Sequence, residues 1–148
     1  MLDEIDIKTL NILQENSKVN RTQLAELFGL SIPSISERLH KLEDKGIIKG
    51  YYTKVDRKTF GYDIMAFVIV ISESSSHYEE MVHKAQEHPN ILECHSILGE
   101  GSHLLKTIVK NSHSLEELLA EIQLWPGVLS TKTIFVLSTL KETTKINL

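Results

Sequence analysis

Apolar residues repeat at helical spacing over roughly the first 43 residues and predict three helices. The first begins with the acidic stretch Asp3–Asp6, where the helix dipole favours negative charge. Asn20 and Gln23 form a capping-box pattern, which predicts the start of a second, short helix over Arg21–Phe28. Gly29 ends that helix, and the tight turn that follows is the connection that a helix-turn-helix requires.

A third helix and a small wing complete the predicted N-terminal domain. Ser31 is expected to cap this helix, Pro33 suits its first turn, and Gly46 ends it. Its buried stripe consists of apolar residues at i, i+4 and i+7, namely Ile35, Leu39 and Leu42. Apolar pairs broken by Gly50 follow and predict short strands over Ile47–Val55. Residues 1–61 are therefore predicted to form a winged helix-turn-helix.

From residue 62 onward the order of elements becomes β-α-β-β-α-β. Strands are predicted over four segments, Ile64–Ile71, Ile91–Leu98, Leu104–Val109 and Val128–Leu137. Helical spacing marks Ser75–Glu87, and a capping box of Ser114 and Glu117 predicts the start of the last helix. This order is the ferredoxin-like split motif. The predicted fold class is α+β, with a second domain over residues 62–148.

Charge and cysteine content narrow the classes of function. The net charge of −4 argues against a protein that coats nucleic acid, but residues 31–58 carry a local excess of three positive charges. No apolar run is long enough to span a bilayer, no secretory signal pattern opens the chain, and the single Cys94 excludes an internal disulfide. A cytoplasmic protein without membrane partners is expected.

The third helix carries the candidate DNA-binding residues. Ser34, Arg38, Lys41 and Lys45 fall on one stripe, roughly 90–100° from the buried stripe at about 100° per residue. Arg38 can reach a guanine edge or a phosphate, whereas Lys41 and Lys45 are expected to hold phosphates. Ser31 and Ser34 lie near the helix N-terminus, which attracts the DNA backbone. The complete predicted set is Ser31, Ser34, Ser36, Glu37, Arg38, Lys41 and Lys45.

A metalloenzyme is the main rival class, because six of the seven histidines follow residue 62. Cys94-His95 and His103 lie on neighbouring predicted strands, but alternation sends Cys94 and His95 to opposite faces. The chain also has no HExxH motif, no paired cysteines and no glycine-rich phosphate loop. We therefore predict no catalytic residues, no metal site and no cofactor.

Many short motifs in a fixed order resemble the Lrp/AsnC family of feast/famine regulators. The resemblance covers nearly the whole chain, and its specificity comes from the order and spacing of these motifs. In the first half it is carried by residues 2–6, Gln23-Leu24-Ala25, Gly29-Leu30-Ser31, Arg38-Leu39, Leu42-Glu43 and residues 46–51. In the second half it is carried by residues 99–105, Pro126-Gly127-Val128 and Thr131-Lys132-Thr133.

The resemblance implies a sequence-specific transcriptional regulator that binds double-stranded DNA in the nucleoid and dimerises by pairing sheets. Family members commonly assemble into octamers or similar rings, and many bind an amino acid or related small molecule between dimers. The effector residues it implies here are Gly99, Glu100, Gly101, Ser102, Thr131 and Thr133. An amino acid, another small molecule and no effector all remain open. The alternative function is a DNA-architectural protein with low sequence specificity and no effector.

One departure from the family pattern concerns the effector. The family usually has an acidic residue and then an aromatic one before the third strand of this domain, where this chain has Ser102 and His103. A carboxylate there is the natural partner for an amino group. Its replacement predicts that Glu100 takes over this role, that the ligand differs, or that no ligand binds.

Overall fold

A computed structural model describes residues 2–148 and divides into two compact units. The first unit contains residues up to Lys54 together with Lys141–Leu148, and the second contains Val55–Leu140. The sequence placed the boundary after Gly61 and assigned the last residues to the C-terminal domain. They group with the first unit because the backbone of Ile146 exchanges two hydrogen bonds with the side chain of Gln14, at 2.8 and 3.2 Å.

Three helices form the first unit, with the predicted starting points. They are α1 (Glu4–Glu15), α2 (Arg21–Phe28) and α3 (Ile32–Asp44). Asp3, Asn20 and Ser31 each accept a hydrogen bond from the backbone N–H three residues on, so each helix has the cap that its sequence indicates. The buried residues that join α2 to α3 are Leu24, Ala25, Ile35 and Leu39.

The short strands predicted over Ile47–Val55 are wrong for this chain. Residues 47–55 contain no strand, and the segment runs into a 3₁₀ helix over Arg57–Phe60. A strand needs a partner for its backbone and a face to bury, whereas Tyr52 and Val55 are 81% and 58% exposed. The segment is instead tied to α3 by the Tyr51 hydroxyl, which donates to a Glu43 carboxylate oxygen at 2.9 Å.

The second unit is an antiparallel sheet with two helices, and it confirms the ferredoxin-like prediction. The strands are β1 (Ile64–Ser72), β2 (Ile91–Ser96), β3 (His103–Val109) and β4 (Val128–Phe135), in the spatial order β2-β3-β1-β4. Helices α4 (Tyr78–Glu87) and α5 (Ser112–Gln123) pack on one face over a buried apolar core. No helix within residues 2–148 has the length and apolar character needed to cross a membrane.

Several element ends in the second unit differ from the predictions. Strands β2 and β4 each end two residues early, before segments whose side chains are mostly exposed. The predicted capping box of Ser114 and Glu117 is wrong, because α5 begins at Ser112 and its cap is Asn111. Asn111 accepts hydrogen bonds from both the backbone N–H and the hydroxyl of Ser114, at 2.8 and 3.1 Å, so the cap lies three residues before the predicted one.

Candidate nucleic-acid interface and sensor loop

The α2–α3 connection sets the exposed face of α3. Gly29 adopts φ 64°, a left-handed conformation that favours glycine, and the Leu30 N–H then donates to the Ala25 carbonyl at 3.0 Å. Ser31 and Pro33 follow at once, so α3 begins directly after the turn. With Ile35 and Leu39 buried, the opposite side of α3 is left to solvent.

Most of the predicted DNA-binding side chains lie on that exposed side. Glu37, Lys41 and Lys45 are exposed, while Ser34 and Ser36 are half-buried. Lys41 donates to the Glu37 carboxylate at 2.7 Å, and this bond lowers the pKa of Glu37. The stripe therefore contains carboxylate and ammonium groups together, and its net charge is smaller than a count of its lysines suggests.

Arg38 departs from the rest of the stripe, because its guanidinium is turned toward the start of α1. Its Nη1 donates to Asp3 at 2.6 Å and to Asp6 at 2.8 Å, and these bonds raise the pKa of Arg38. The pKa of Asp3 is lowered mainly by the hydrogen bond from the Asp6 N–H and, next in importance, by the hydrogen bond from Arg38. The ion cluster thus fastens the middle of α3 to the N-terminus of α1.

The role of these aspartates was missed by sequence reasoning, which assigned Asp3 and Asp6 only to the helix dipole. Asp3 caps α1 and also binds a cation 35 residues away. No periodicity within either helix carries that pairing, since it depends on how the helices cross. Asp3, Asp6 and Arg38 line one cavity of about 440 Å3 with Ser34 and Lys45.

The predicted sensor loop, which joins β2 to β3, is held tightly against β1. Gly101 has no room for a side chain, because an added Cβ would meet the Ile69 side chain and lie 2.8 Å from the Val70 carbonyl oxygen. Ser102 follows and donates to that same oxygen through both its N–H and its hydroxyl, at 2.9 and 3.2 Å. The loop backbone is therefore fixed at the point where β1 ends.

Strand pairing places the remaining effector residues, Thr131 and Thr133, on one face of the sheet, opposite Val70 and Val68 of β1. Thr131 pairs with Val70, on the face covered by helices, and accepts a hydrogen bond from Gln123 of α5 at 3.1 Å. Lys132 points to the other face, where it binds the Glu100 carboxylate at 2.9 Å and lowers the pKa of Glu100. The one carboxylate of the loop is thus already paired with a cation.

The structure also shows the positions of Cys94 and His95, which were considered above as ligands of a metal ion. Cys94 packs against the core, where burial raises its pKa, while His95 is exposed and hydrogen-bonded to Glu93 at 3.0 Å. The two side chains lie on opposite faces, as alternation predicts. Within the part of the chain that the structure describes, no group of three or more His, Cys, Asp or Glu residues is placed to hold a metal ion.

Two family models match the chain and together cover most of it. Residues 2–49 match the winged helix-turn-helix DNA-binding model, and residues 65–146 match the Lrp/AsnC ligand binding domain. Among curated relatives, the HTH-type transcriptional regulator FL11 of Pyrococcus horikoshii is 35% identical over 98% of this chain and 95% of its own length. The regulatory protein AsnC of Haemophilus influenzae is 31% identical, covering 90% and 89% of the two chains.

Solved structures share the same fold over almost the whole chain. The transcriptional regulator NMB0573 from Neisseria meningitidis, solved as an L-Met complex, superposes with a TM-score of 0.91 at 28% identity, covering 99% of this chain and 97% of its own. AsnC of E. coli gives a TM-score of 0.89 at 28% identity, covering 98% of each chain. The relatives are regulators with a DNA-binding helix-turn-helix, which confirms the predicted class over an enzyme. This chain is a transcriptional regulator that belongs to the Lrp/AsnC family.

Proposed function

We infer that this regulator binds double-stranded DNA sequence-specifically through α3, self-associates through its β-sheet, and responds to a small molecule near the β2–β3 loop. Dimers would assemble further into octamers or similar rings, in the cytoplasm and on the nucleoid. The observation that carries the DNA-binding step is the exposed face of α3, which follows a glycine turn directly and presents serine hydroxyls and lysine ammonium groups.

The side chains of α3 divide into two roles in this proposal. Lys41 and Lys45 are exposed and free to bind phosphates, once Lys41 exchanges its Glu37 partner for DNA. Ser31 and Ser34 lie at the positive end of the helix dipole, where phosphate is favoured. Arg38 is engaged with α1 and fixes the orientation of α3, so it acts as a positioning residue in this state.

Self-association is supported by the face of the sheet opposite α4 and α5. Strand alternation turns a row of large apolar side chains toward that face, namely Phe67, Ile69, Ile71, Leu104 and Ile108. All five are only half-buried in the single chain, and exposed apolar surface of this kind marks interaction sites. Pairing two such faces would bury them and give each dimer two recognition helices.

An effector is supported by the match to a ligand binding domain and by the L-Met complex of a structural relative. The proposed residues are Gly99, Glu100, Gly101, Ser102, Thr131 and Thr133. Their shared anchor is the end of β1, since Ser102 bonds to Val70 and Thr131 pairs with it. An effector that binds there can change assembly or DNA affinity only through a different affinity for the two states.

The test of DNA binding is fluorescence anisotropy on the DNA upstream of the regulator's own gene and on random DNA, over a salt series. Each phosphate contact contributes about 0.9 to the slope of log affinity against log salt. Lys41→Ala/Lys45→Ala should therefore lower that slope by about 2 per recognition helix and weaken binding to both DNAs.

The matched control is Lys84→Ala/Lys110→Ala, which removes two exposed lysines of the second unit and should leave the slope unchanged. Equal affinity of the unaltered protein for both DNAs would contradict sequence-specific binding and favour a DNA-architectural function. An unchanged slope in Lys41→Ala/Lys45→Ala would remove these lysines from the interface. A protein that stays monomeric at micromolar concentration in analytical ultracentrifugation would contradict the assembly step.

A further inference from the structure

A small pocket lies on the helix-covered side of the sheet, next to the sensor loop. Its volume is about 190 Å3, and it lies between the end of β1, the start of α4 and the Pro126-Gly127 turn. Five serine side chains contribute to its lining, Ser72, Ser74, Ser75, Ser96 and Ser102. No Asp, Glu, Lys or Arg of residues 2–148 lines it. The pocket therefore combines serine hydroxyls with apolar side chains such as Met81 and Ile97, and none of its lining residues except the histidines carries charge near neutral pH.

His103 is one of the residues that line this pocket, and one nitrogen of its buried ring has no hydrogen-bond partner. The residue is 4% exposed. Its Nε2 atom is buried, and none of the described residues forms a hydrogen bond with it. The Tyr78 ring packs against the imidazole at a centroid distance of 5.1 Å. Burial without a compensating hydrogen bond destabilises a polar atom, so this nitrogen has the character of an unfilled binding position.

The hydrogen bonds around Ser102 identify Nε2 as an acceptor. The Val70 carbonyl can only accept, so the Ser102 hydroxyl donates its single proton there, at 3.2 Å. The Ser102 oxygen lies 2.9 Å from His103 Nδ1, and with its proton directed to Val70 we assign it as the acceptor of an Nδ1–H group. Burial lowers the pKa of His103, which keeps the ring neutral. A neutral ring that is protonated at Nδ1 has a lone pair at Nε2.

A lone pair in an uncharged pocket selects one kind of ligand. Hydroxyl and amide groups donate to such a nitrogen, and the serine hydroxyls around it both donate and accept. A free ammonium group would need a carboxylate. Glu93 lies in an adjoining cavity that His103 also borders, but Lys106 and His95 already bind it, at 3.1 and 3.0 Å. Ligands of drug size need about 300–1,000 Å3, so this pocket suits a smaller metabolite.

We propose that the serine-lined pocket binds a small uncharged molecule whose hydroxyl or amide group donates a hydrogen bond to His103 Nε2. This assignment rests on the proposed function, because it names the chemical class of the effector. It places recognition on the helix-covered side of the loop, where Ser102 and His103 replace the acidic and aromatic residues usual in the family. The ligand would reach Val70 and the loop backbone through Ser102.

The test is long-range ¹H–¹⁵N NMR of the full chain labelled with ¹⁵N-histidine. His103 is assigned by its loss in His103→Phe, which keeps a ring beside Tyr78 but removes both nitrogens. The uncharged probes are glycerol, erythritol, acetamide and propionamide, and the zwitterionic probes are L-Met and L-leucine. We expect an unprotonated Nε2 that shifts in a saturable manner with at least one uncharged probe.

Calorimetric titration of the same probe then separates a binding role from a structural one. Affinity should fall about tenfold or more in His103→Phe and be retained within about threefold in His103→Gln, which restores an acceptor near the Nε2 position. An Nε2 that carries the proton would overturn the proposal, since it would require an acceptor in the ligand. So would a response to zwitterions alone, or an Nε2 resonance that no probe moves because only water fills the pocket.

DNA binding of the same preparations distinguishes this inference from the proposed function. A protein that binds its upstream DNA selectively, but whose His103 ignores every uncharged probe, contradicts the pocket alone. A protein without selective DNA binding contradicts the regulator mechanism, whatever the probes do. Probe binding that shifts the DNA affinity of the unaltered protein, but not that of His103→Phe, would support both.

Discussion

Replacing Arg38 by methionine tests whether this side chain holds α3 in place or contacts DNA itself. The variant keeps most of the aliphatic stem and removes the guanidinium that bonds to Asp3 and Asp6 at 2.6 and 2.8 Å. The side chain of Asp6 is only 14% exposed, so the substitution leaves a largely buried carboxylate without its cation. We expect the first unit to lose stability and its DNA affinity to fall with it.

The size of the effect follows from the geometry of the Arg38–Asp6 pair. Two unit charges about 4 Å apart attract by about 1 kcal/mol in water and about 4 kcal/mol at an effective dielectric constant of about 20. Arg38 is 29% exposed, so the pair lies between these limits, and desolvation offsets part of the gain. A net loss of about 1–2 kcal/mol in the free energy of unfolding is expected.

Urea denaturation and a double-mutant cycle with Asp6→Asn measure the coupling energy directly. Lys41→Met is the matched control, because its side chain is 65% exposed and its loss should cost less than about 0.5 kcal/mol. DNA anisotropy adds the functional answer: if Arg38 only positions α3, Asp6→Asn weakens binding as Arg38→Met does. Full affinity in Asp6→Asn together with a large loss in Arg38→Met would refute this reasoning and make Arg38 a direct DNA ligand.

Three further outcomes are expected in the second unit. Gly101→Ala should cost about 1–3 kcal/mol by urea denaturation, because its Cβ has no room beside Ile69, and an unchanged midpoint would contradict the tight loop. Asn111→Ala should cost about 1 kcal/mol and Ser114→Ala less, since the former is the cap of α5; the reverse order would restore the cap predicted from sequence. The pKa of His103 lies below 6.5 when folded, so its contribution to stability is complete above pH 6.5 and is lost as the pH falls through the folded pKa. His103→Phe should remove that part of the pH dependence in thermal denaturation, and identical profiles would show that the ring is not buried as a neutral group.

Local signals explain which parts of the fold were predictable. Asn20 with Gln23 and Ser31 with Pro33 act within one turn, and α2 and α3 begin where these residues indicate. The apolar run over Ile64–Ile71 identified the buried strand β1. A strand that is buried within a sheet contains a run of apolar residues, and this run can be recognised without knowing which strands pair with it. The same locality gave α3 as the candidate DNA-binding helix.

Non-local pairings explain what the sequence could not show. The Arg38–Asp6 bond joins residues 32 positions apart, and the tail at Ile146 returns to Gln14 over 132 positions. Apolar residues around Tyr51 resembled a wing hairpin, but a single chain offers them no partner strand. In each case the structure depends on contacts between residues far apart in the sequence, and composition and periodicity carry no information about such contacts.

The two proposed sites differ in their effect on the stability of the free protein. The exposed face of α3 takes little from the free energy of folding, because its lysines and serines are solvated in the free protein. The pocket beside His103 is different, since a buried acceptor without a partner destabilises the folded state by about 1–3 kcal/mol. A ligand that supplies the missing donor relieves that cost as it binds, so its affinity and the stability of the loop should rise together. Because Ser102 joins His103 to the end of β1, the added stability would appear first where the sheet meets the sensor loop.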